Sequence, residues 1–188
     1  MVSSIDGSAA FKGESKGLTS ASDRRLFHLM RELADVILIG AGTARSEPYR
    51  NHRRQVVVIT RSGDLPTNFF TGIPPIVITT EAIDESRRAA LAKECEVIVF
   101  GRHEVDLDLM RKLFIERGWL KVLCEGGPAL LGSISAEAMI DEVALTIAPL
   151  LAGNGSSLLQ ESPEIKRNFD LLSLLEAEGN LFARYVAH

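Results

Sequence analysis

Short β-branched runs alternate with amphipathic stretches along almost the whole chain, and no other feature limits its possible folds as strongly. Strands of a parallel sheet must be joined by crossovers, and helices in those crossovers cover both sheet faces, so the sequence alternates in this way. Strands are predicted at 36–40, 55–60, 76–80, 96–101, 121–125 and 142–150, with two more at 171–177 and 181–186. The fold class is therefore α/β: a mostly parallel central sheet with helices on both faces and an antiparallel C-terminal hairpin. Only the last two strands are expected to run antiparallel, because Glu178-Gly179-Asn180 is short enough for a hairpin turn.

The helices carry their own start and stop signals. Ser20 or Ser22 can cap a helix whose apolar stripe, Leu26, Leu29, Met30, Leu33 and Ala34, is expected to pack on the sheet. Asp84 and Asp106 can cap two more. The second of these should turn Leu109, Leu113 and Phe114 inward and end with Gly118 at C′. Pro128 suits the first turn of another helix. The stretches 51–54 and 63–75 read as loops, too short to link domains. A length of 188 residues fits one domain, 1–188.

Composition narrows the class of function. With 21 Lys and Arg against 25 Asp and Glu the formal charge is −4, which speaks against a broadly basic nucleic-acid binder. The longest apolar runs, Val36 to Ile39 and Ala148 to Ala152, fall far short of a bilayer-spanning segment, and no secretory signal pattern opens the chain. Cys95 and Cys124 have no CxxC or Cys/His spacing and read as reduced core thiols of a cytoplasmic protein. The four histidines, His28, His52, His103 and His188, form no i, i+4 pair, so no metal site is expected. Neither a GxSxG elbow nor a Walker motif is present, which removes the main support for a serine hydrolase or a P-loop NTPase.

Three strand ends can carry chemistry. Gly40-Ala41-Gly42-Thr43 follows a buried strand and partly matches a pyrophosphate-binding turn, with Arg45 where a third glycine would stand. The plainer account is a tight strand-to-helix turn. Thr60-Arg61-Ser62 ends the next strand, where an NAD site would present a carboxylate to the ribose. A guanidinium between two hydroxyls suits a 2′-phosphate instead, so the pattern leans to NADP, against the plainer account of a solvated strand end. Cys124-Glu125-Gly126-Gly127-Pro128 is the most informative stretch. A carboxylate at a strand end precedes two glycines and a helix start, the place where open α/β sheets bind ligands. Glu125 can bind or protonate a polar ring there, or it can simply pair locally while the glycines allow close packing. Taken alone, Ser4-Ile5-Asp6-Gly7 reads as a polar turn, 13–17 as a flexible loop and Arg31 as an exposed helix residue.

Together, in order and spacing, Ser3-Ser4-Ile5-Asp6-Gly7, Gly13-Glu14-Ser15, Thr19-Ser20, Ala34-Asp35 through Thr43, Cys124 to Pro128 and Ala148 to Gly153 resemble the reductase of riboflavin biosynthesis. The resemblance is to the C-terminal reductase domain of bacterial bifunctional deaminase/reductases and to stand-alone actinobacterial relatives, and it covers essentially the whole chain. It implies a dihydrofolate reductase-like fold, a homodimer, and NADPH-dependent reduction of 5-amino-6-(5-phosphoribosylamino)uracil. It further implies Glu125 as catalytic residue, with Asp6, Ser15, Arg31 and Glu125 on the substrate. Gly40, Gly42, Thr43, Glu47, Arg61, Ser62, Gly126, Gly127, Pro128, Leu130 and Leu131 would then meet the cofactor. Two positions depart from the family: Ser8 stands where many members have Lys or Arg, and Gly17 where Trp is common. They keep two alternatives open, dihydrofolate reductase activity on a pterin and a non-catalytic NADP-binding sensor.

Overall fold

In the computed structural model the strands form two sheets, and the described residues are 1–47, 53–70, 72–153, 155, 157–159 and 162–188. Asn51 and His52, part of the predicted loop 51–54, lie outside them. The described chain divides into two compact units, Met1–Leu29 with Pro128–His188, and Met30–Gly127.

The second unit holds five strands, β2 (Val36–Gly40), β3 (Gln55–Ile59), β4 (Ile76–Thr79), β5 (Glu96–Val99) and β6 (Val122–Gly126). Every pairing is parallel, in the order β5-β4-β3-β2-β6. Val36, Ile37, Ile39, Val57, Val58, Val77 and Ile78 are almost wholly buried, as strands covered on both faces must be. Its helices include α2 (Ala41–Ser46), α3 (Glu85–Leu91) and α4 (Leu107–Glu116). The carboxylates of Asp84 and Asp106 accept from the Arg87 and Leu109 amides at 3.0 and 2.9 Å, so both predicted caps form. Gly118, at φ +71°, occupies the left-handed C′ position after α4.

Two sequence expectations in this unit need correction. The stretch 63–75 is not only loop: a 3-10 turn, Thr67–Phe70, buries Phe69 with Leu65 and Phe70 against Ile37, Ile39, Val56 and Val58. The β3–β4 crossover thus covers the sheet with aromatic rings where a helix was not encoded. In α4 the buried pair is Met110 and Phe114, and Leu109 is exposed. The Met110–Phe114 spacing of one helical turn, rather than Leu109, defines the inward face.

The first unit holds β1 (Val2–Ser4), most of α1 (Ala21–Leu33), α5 (Pro128–Ala136), β7 (Glu142–Ala148), β8 (Phe169–Ala177) and β9 (Asn180–Ala187). Its sheet runs β1-β7-β9-β8. Besides the predicted β8–β9 hairpin, β7 pairs antiparallel with β9, whereas β1 runs parallel to β7. The expectation of a single antiparallel pair therefore fails, because the returning strand β9 inserts between β7 and β8. The Ser20 hydroxyl accepts from the Asp23 amide at 3.1 Å, and the Glu178 carboxylate at the hairpin tip accepts from the Ser22 amide at 3.1 Å, so the start of α1 is held from two sides. Of its predicted apolar stripe, Leu29 and Leu33 are 50% and 61% exposed and only Ala34, just beyond the helix, is buried. Amphipathic spacing identified the helix but not what covers its stripe.

Candidate active site

In the second unit the chain moves outward from β2 to β3, β4 and β5, then returns to add β6 on the other side of β2. That reversal is the topological switch point of an open parallel sheet, and the carboxyl ends of the strands flanking it are where such sheets take ligands. The Gly40 and Gly126 turns are those two strand ends, and they lie side by side, with Ile39 opposite Gly126 in the ladder.

The register also explains how Glu125 is aimed. Leu38 pairs with Cys124 but Ile39 with Gly126, so β6 carries one extra residue and Glu125 is the one left over. A bulge of this kind re-aims a side chain. Its carboxylate meets Arg31 from the last turn of α1: Nε donates to Oε1 at 2.6 Å and Nη2 to Oε2 at 2.7 Å. This is a two-pronged guanidinium–carboxylate pair, with the Glu125 side chain 2% exposed and that of Arg31 22%. Neither chemical partner was visible to the other in sequence, 94 positions apart.

Glycine is required beside this pair. Gly126 sits at φ +89°, and a Cβ on Gly127 would stand 3.2 Å from Thr43 Oγ1. The Gly126–Gly127 peptide is cis. Among the described residues nothing lies within 4 Å of where a Cβ on Gly42 would point, so none of them covers the backbone of the turn on that side. The Glu47 amide closes α2 by donating to the Thr43 carbonyl at 2.9 Å. Arg31, Gly40, Gly42, Thr43, Glu125, Gly126 and Gly127 are thus gathered around the switch point of one unit. The Cys124 thiol, next in the strand, is pushed up to about 11 by burial, and that of Cys95 likewise, so both resist ionisation.

The third predicted strand end is a separate polar cluster. Thr60 Oγ1 accepts from the Gly63 amide at 3.0 Å, Ser62 Oγ accepts from the Asp64 amide at 3.3 Å, and Arg87 reaches the Ser62 carbonyl at 3.4 Å. Arg61 Nη1 donates to Glu104 Oε1 at 2.8 Å. Sequence reading missed Glu104: it lies in a turn 43 residues on, and no local pattern marks it.

The remaining predicted residues belong to the first unit. Asp6 Oδ1 accepts from Ser4 Oγ and from the Ala152 amide at 3.0 Å, and Oδ2 from the Gly153 amide at 2.8 Å. These bonds make Asp6 a staple between two loops. They hold its carboxyl at about 2, below the ordinary 3.8, the Ser4 hydroxyl contributing most and the two amides next. Because the folded value is depressed, the stabilisation is fully present above 3.8 and is lost as pH falls through about 2. The protection factors of the Ala152 and Gly153 amides, exchange rates taken relative to the intrinsic rate at each pH, should accordingly fall on acidification across that window, and in an Asp6→Asn variant they should already be low at neutral pH. Equal protection in the two proteins would refute the staple.

Ser15 opens a 3-10 turn, Ser15–Leu18, and is half-buried. Phe11 packs against Gly17, its Cβ and ring 3.2 Å from where a Cβ would stand. Ser8 is buried, donates to the Ala10 carbonyl at 2.7 Å and is pressed by Gly155, where a Cβ would overlap its Oγ. Pro128 begins α5 as predicted, Leu130 is buried and Leu131 half-buried.

Residues 1–180 match the family model of the RibD C-terminal domain. A 2,5-diamino-6-ribosylamino-4(3H)-pyrimidinone 5′-phosphate reductase of Methanothermobacter thermautotrophicus is 28% identical over 162 residues, covering 79% of this chain and 75% of that protein. The riboflavin biosynthesis protein RibD of Aquifex aeolicus is 29% identical over 167 residues, covering 82% of this chain but 46% of its own length, so the chain spans about half of that relative. Among solved structures, a pyrimidine reductase-like protein of Corynebacterium diphtheriae superposes with a TM-score of 0.84 at 24% identity, covering 100% of this chain and 89% of the other. That likeness establishes the fold. No helix among the described residues is long and apolar enough to cross a membrane.

Proposed function

The chain belongs to the RibD C-terminal domain family, and we propose that it is a reductase of riboflavin biosynthesis acting on a phosphoribosylamino-pyrimidine with NADPH as reductant. The observation that carries this reading is the Arg31–Glu125 pair set at the sheet's switch point between the two glycine turns. The residues there fit a dinucleotide: backbone that no described residue covers at Gly42, and a close approach at Gly127, where a Cβ would press on the Thr43 hydroxyl. Gly40, Gly42, Thr43, Glu47, Gly126 and Gly127 would hold it, with Pro128, Leu130 and Leu131 contributing backbone. Leu130, whose side chain is buried, would act through its main chain alone. Arg61 and Ser62 would receive the adenosine 2′-phosphate. When bound, the nicotinamide supplies the hydride.

The chain's own part is to orient. Arg31 fixes the Glu125 carboxylate, which accepts from the amino or ring N–H of the pyrimidine and holds the imine carbon of the opened ribose in place for attack. Ser15 serves as a further substrate contact. Asp6 shapes the loop instead of offering a free carboxylate to the substrate. Both units together make up one reductase domain, 1–188, placed in the cytoplasm.

The test follows NADPH absorbance with three compounds offered separately: 5-amino-6-(5-phosphoribosylamino)uracil, the diamino-pyrimidinone phosphate on which the archaeal relative is named to act, and dihydrofolate. Turnover of either pyrimidine supports the reading. Turnover of dihydrofolate alone replaces it with the pterin reaction, and NADPH binding without turnover of any of the three replaces it with a sensor.

We also propose a homodimer. The edge strand β8 presents Leu171, Leu172, Leu174 and Leu175, each more than half exposed, along a sheet edge that no described strand pairs. Natural proteins cover such an edge, since it invites uncontrolled pairing. Leu172→Lys together with Leu174→Lys should shift the protein to monomer in analytical ultracentrifugation. A dimer of unchanged affinity would move the interface elsewhere.

A further inference from the structure

The cluster at the end of β3 contains a carboxylate as well as the cation that sequence singled out. Glu104 reaches Arg61 from the turn after β5, two strands away, with β4 between them. That turn is built to present it. Gly101 stands at φ +84°, and a Cβ there would fall 2.1 Å from the Glu104 carbonyl oxygen. The Gly101 and Arg102 carbonyls accept from the Glu81 and Ala82 amides at 3.0 and 3.1 Å, which pins the turn to the segment after β4. Both side chains remain accessible, Arg61 at 60% and Glu104 at 76%. A guanidinium is what a 2′-phosphate requires, and a carboxylate is what dinucleotide sites use to accept from a ribose 2′-hydroxyl. Here the two occupy the same place.

We propose that Glu104 is a specificity-determining residue that sets the balance between NADPH and NADH. It occupies the guanidinium that the 2′-phosphate needs, repels that phosphate, and offers the 2′-hydroxyl of NADH an acceptor. The wild-type protein therefore binds both nucleotides, with only a modest preference for NADPH. The proposal rests on the assignment of Arg61 to the 2′-phosphate.

Dissociation constants for NADPH and NADH, read by nucleotide fluorescence on wild type, Glu104→Gln and Arg61→Gln, test it. Both substitutions are at exposed side chains, and circular dichroism checks that the fold is kept. Glu104→Gln should raise the preference for NADPH by about 3–10-fold, mainly through tighter NADPH binding, and the gain should shrink at high salt. Arg61→Gln should abolish or invert the preference. If Glu104→Gln leaves the ratio unchanged while Arg61→Gln lowers it, Glu104 has no such role and the assignment of Arg61 stands. If neither variant moves the ratio, the assignment of Arg61 falls and the proposal with it. Binding of neither nucleotide to wild type would overturn the nicotinamide reading itself.

Discussion

Glu125→Gln should lower turnover of the pyrimidine substrate by about 10²-fold or more while changing the Kd for NADPH by less than about threefold. The asymmetry follows from where the side chain stands. Its carboxylate is almost wholly buried and points from a bulge toward Arg31, whereas the proposed nucleotide contacts at Gly42, Thr43 and Gly127 come from neighbouring backbone and a hydroxyl. Glutamine keeps the shape but turns an N–H2 group toward one prong of the guanidinium, so the amide must rotate or shift, and the substrate N–H loses an anionic acceptor. Misplacement of a reacting carbon by about an ångström is enough for a loss of this size. Wild-type turnover in the variant would remove Glu125 from the reaction. A matching loss of NADPH affinity would make it a cofactor residue.

Arg31→Met should destabilise the protein by about 2–4 kcal/mol, seen as a fall in Tm of about 5–12 °C. Breaking a buried ion pair by removing one partner typically costs about 3–5 kcal/mol, because the other charge is left stranded in the interior. The range here is set lower because Arg31 keeps some contact with water. The physical cause makes a second measurement decisive. If the penalty is the stranded Glu125 carboxylate, then Glu125→Leu added to Arg31→Met should recover most of the lost stability, since an apolar pair of similar volume is often no worse than the ion pair. A double variant no more stable than Arg31→Met would show instead that the loss does not come from the stranded carboxylate. The double variant should remain inactive in either case, separating the orienting role of the pair from its contribution to stability.

Much of the fold is legible locally. The runs at β2, β3 and β4 are apolar because parallel strands are covered on both sides, and the structure places their ends within a residue of the sequence estimate. The Asp84, Asp106, Gly118 and Pro128 signals act within one helical turn, so they hold regardless of what surrounds them. Where sequence reading failed, the deciding contact was distant. Nothing in 63–75 announces that Phe69 fills the sheet face, and nothing in α1 tells that Leu29 and Leu33 stay exposed. The β7–β9 pairing depends on where the hairpin inserts, which neither strand encodes alone.

The sequence by itself determined an α/β chain with glycine turns at the ends of two strands, a carboxylate at position 125 and a cation at 61, because local periodicity, turn chemistry and residue type are short-range properties. Tertiary structure alone decided that β6 lies beside β2, that one surplus residue turns Glu125 toward Arg31, that Asp6 staples loops, and that Glu104 faces Arg61. Those four facts depend on strand order and register, which arise from burying apolar surface over the whole sheet and leave no trace in any window of adjacent residues.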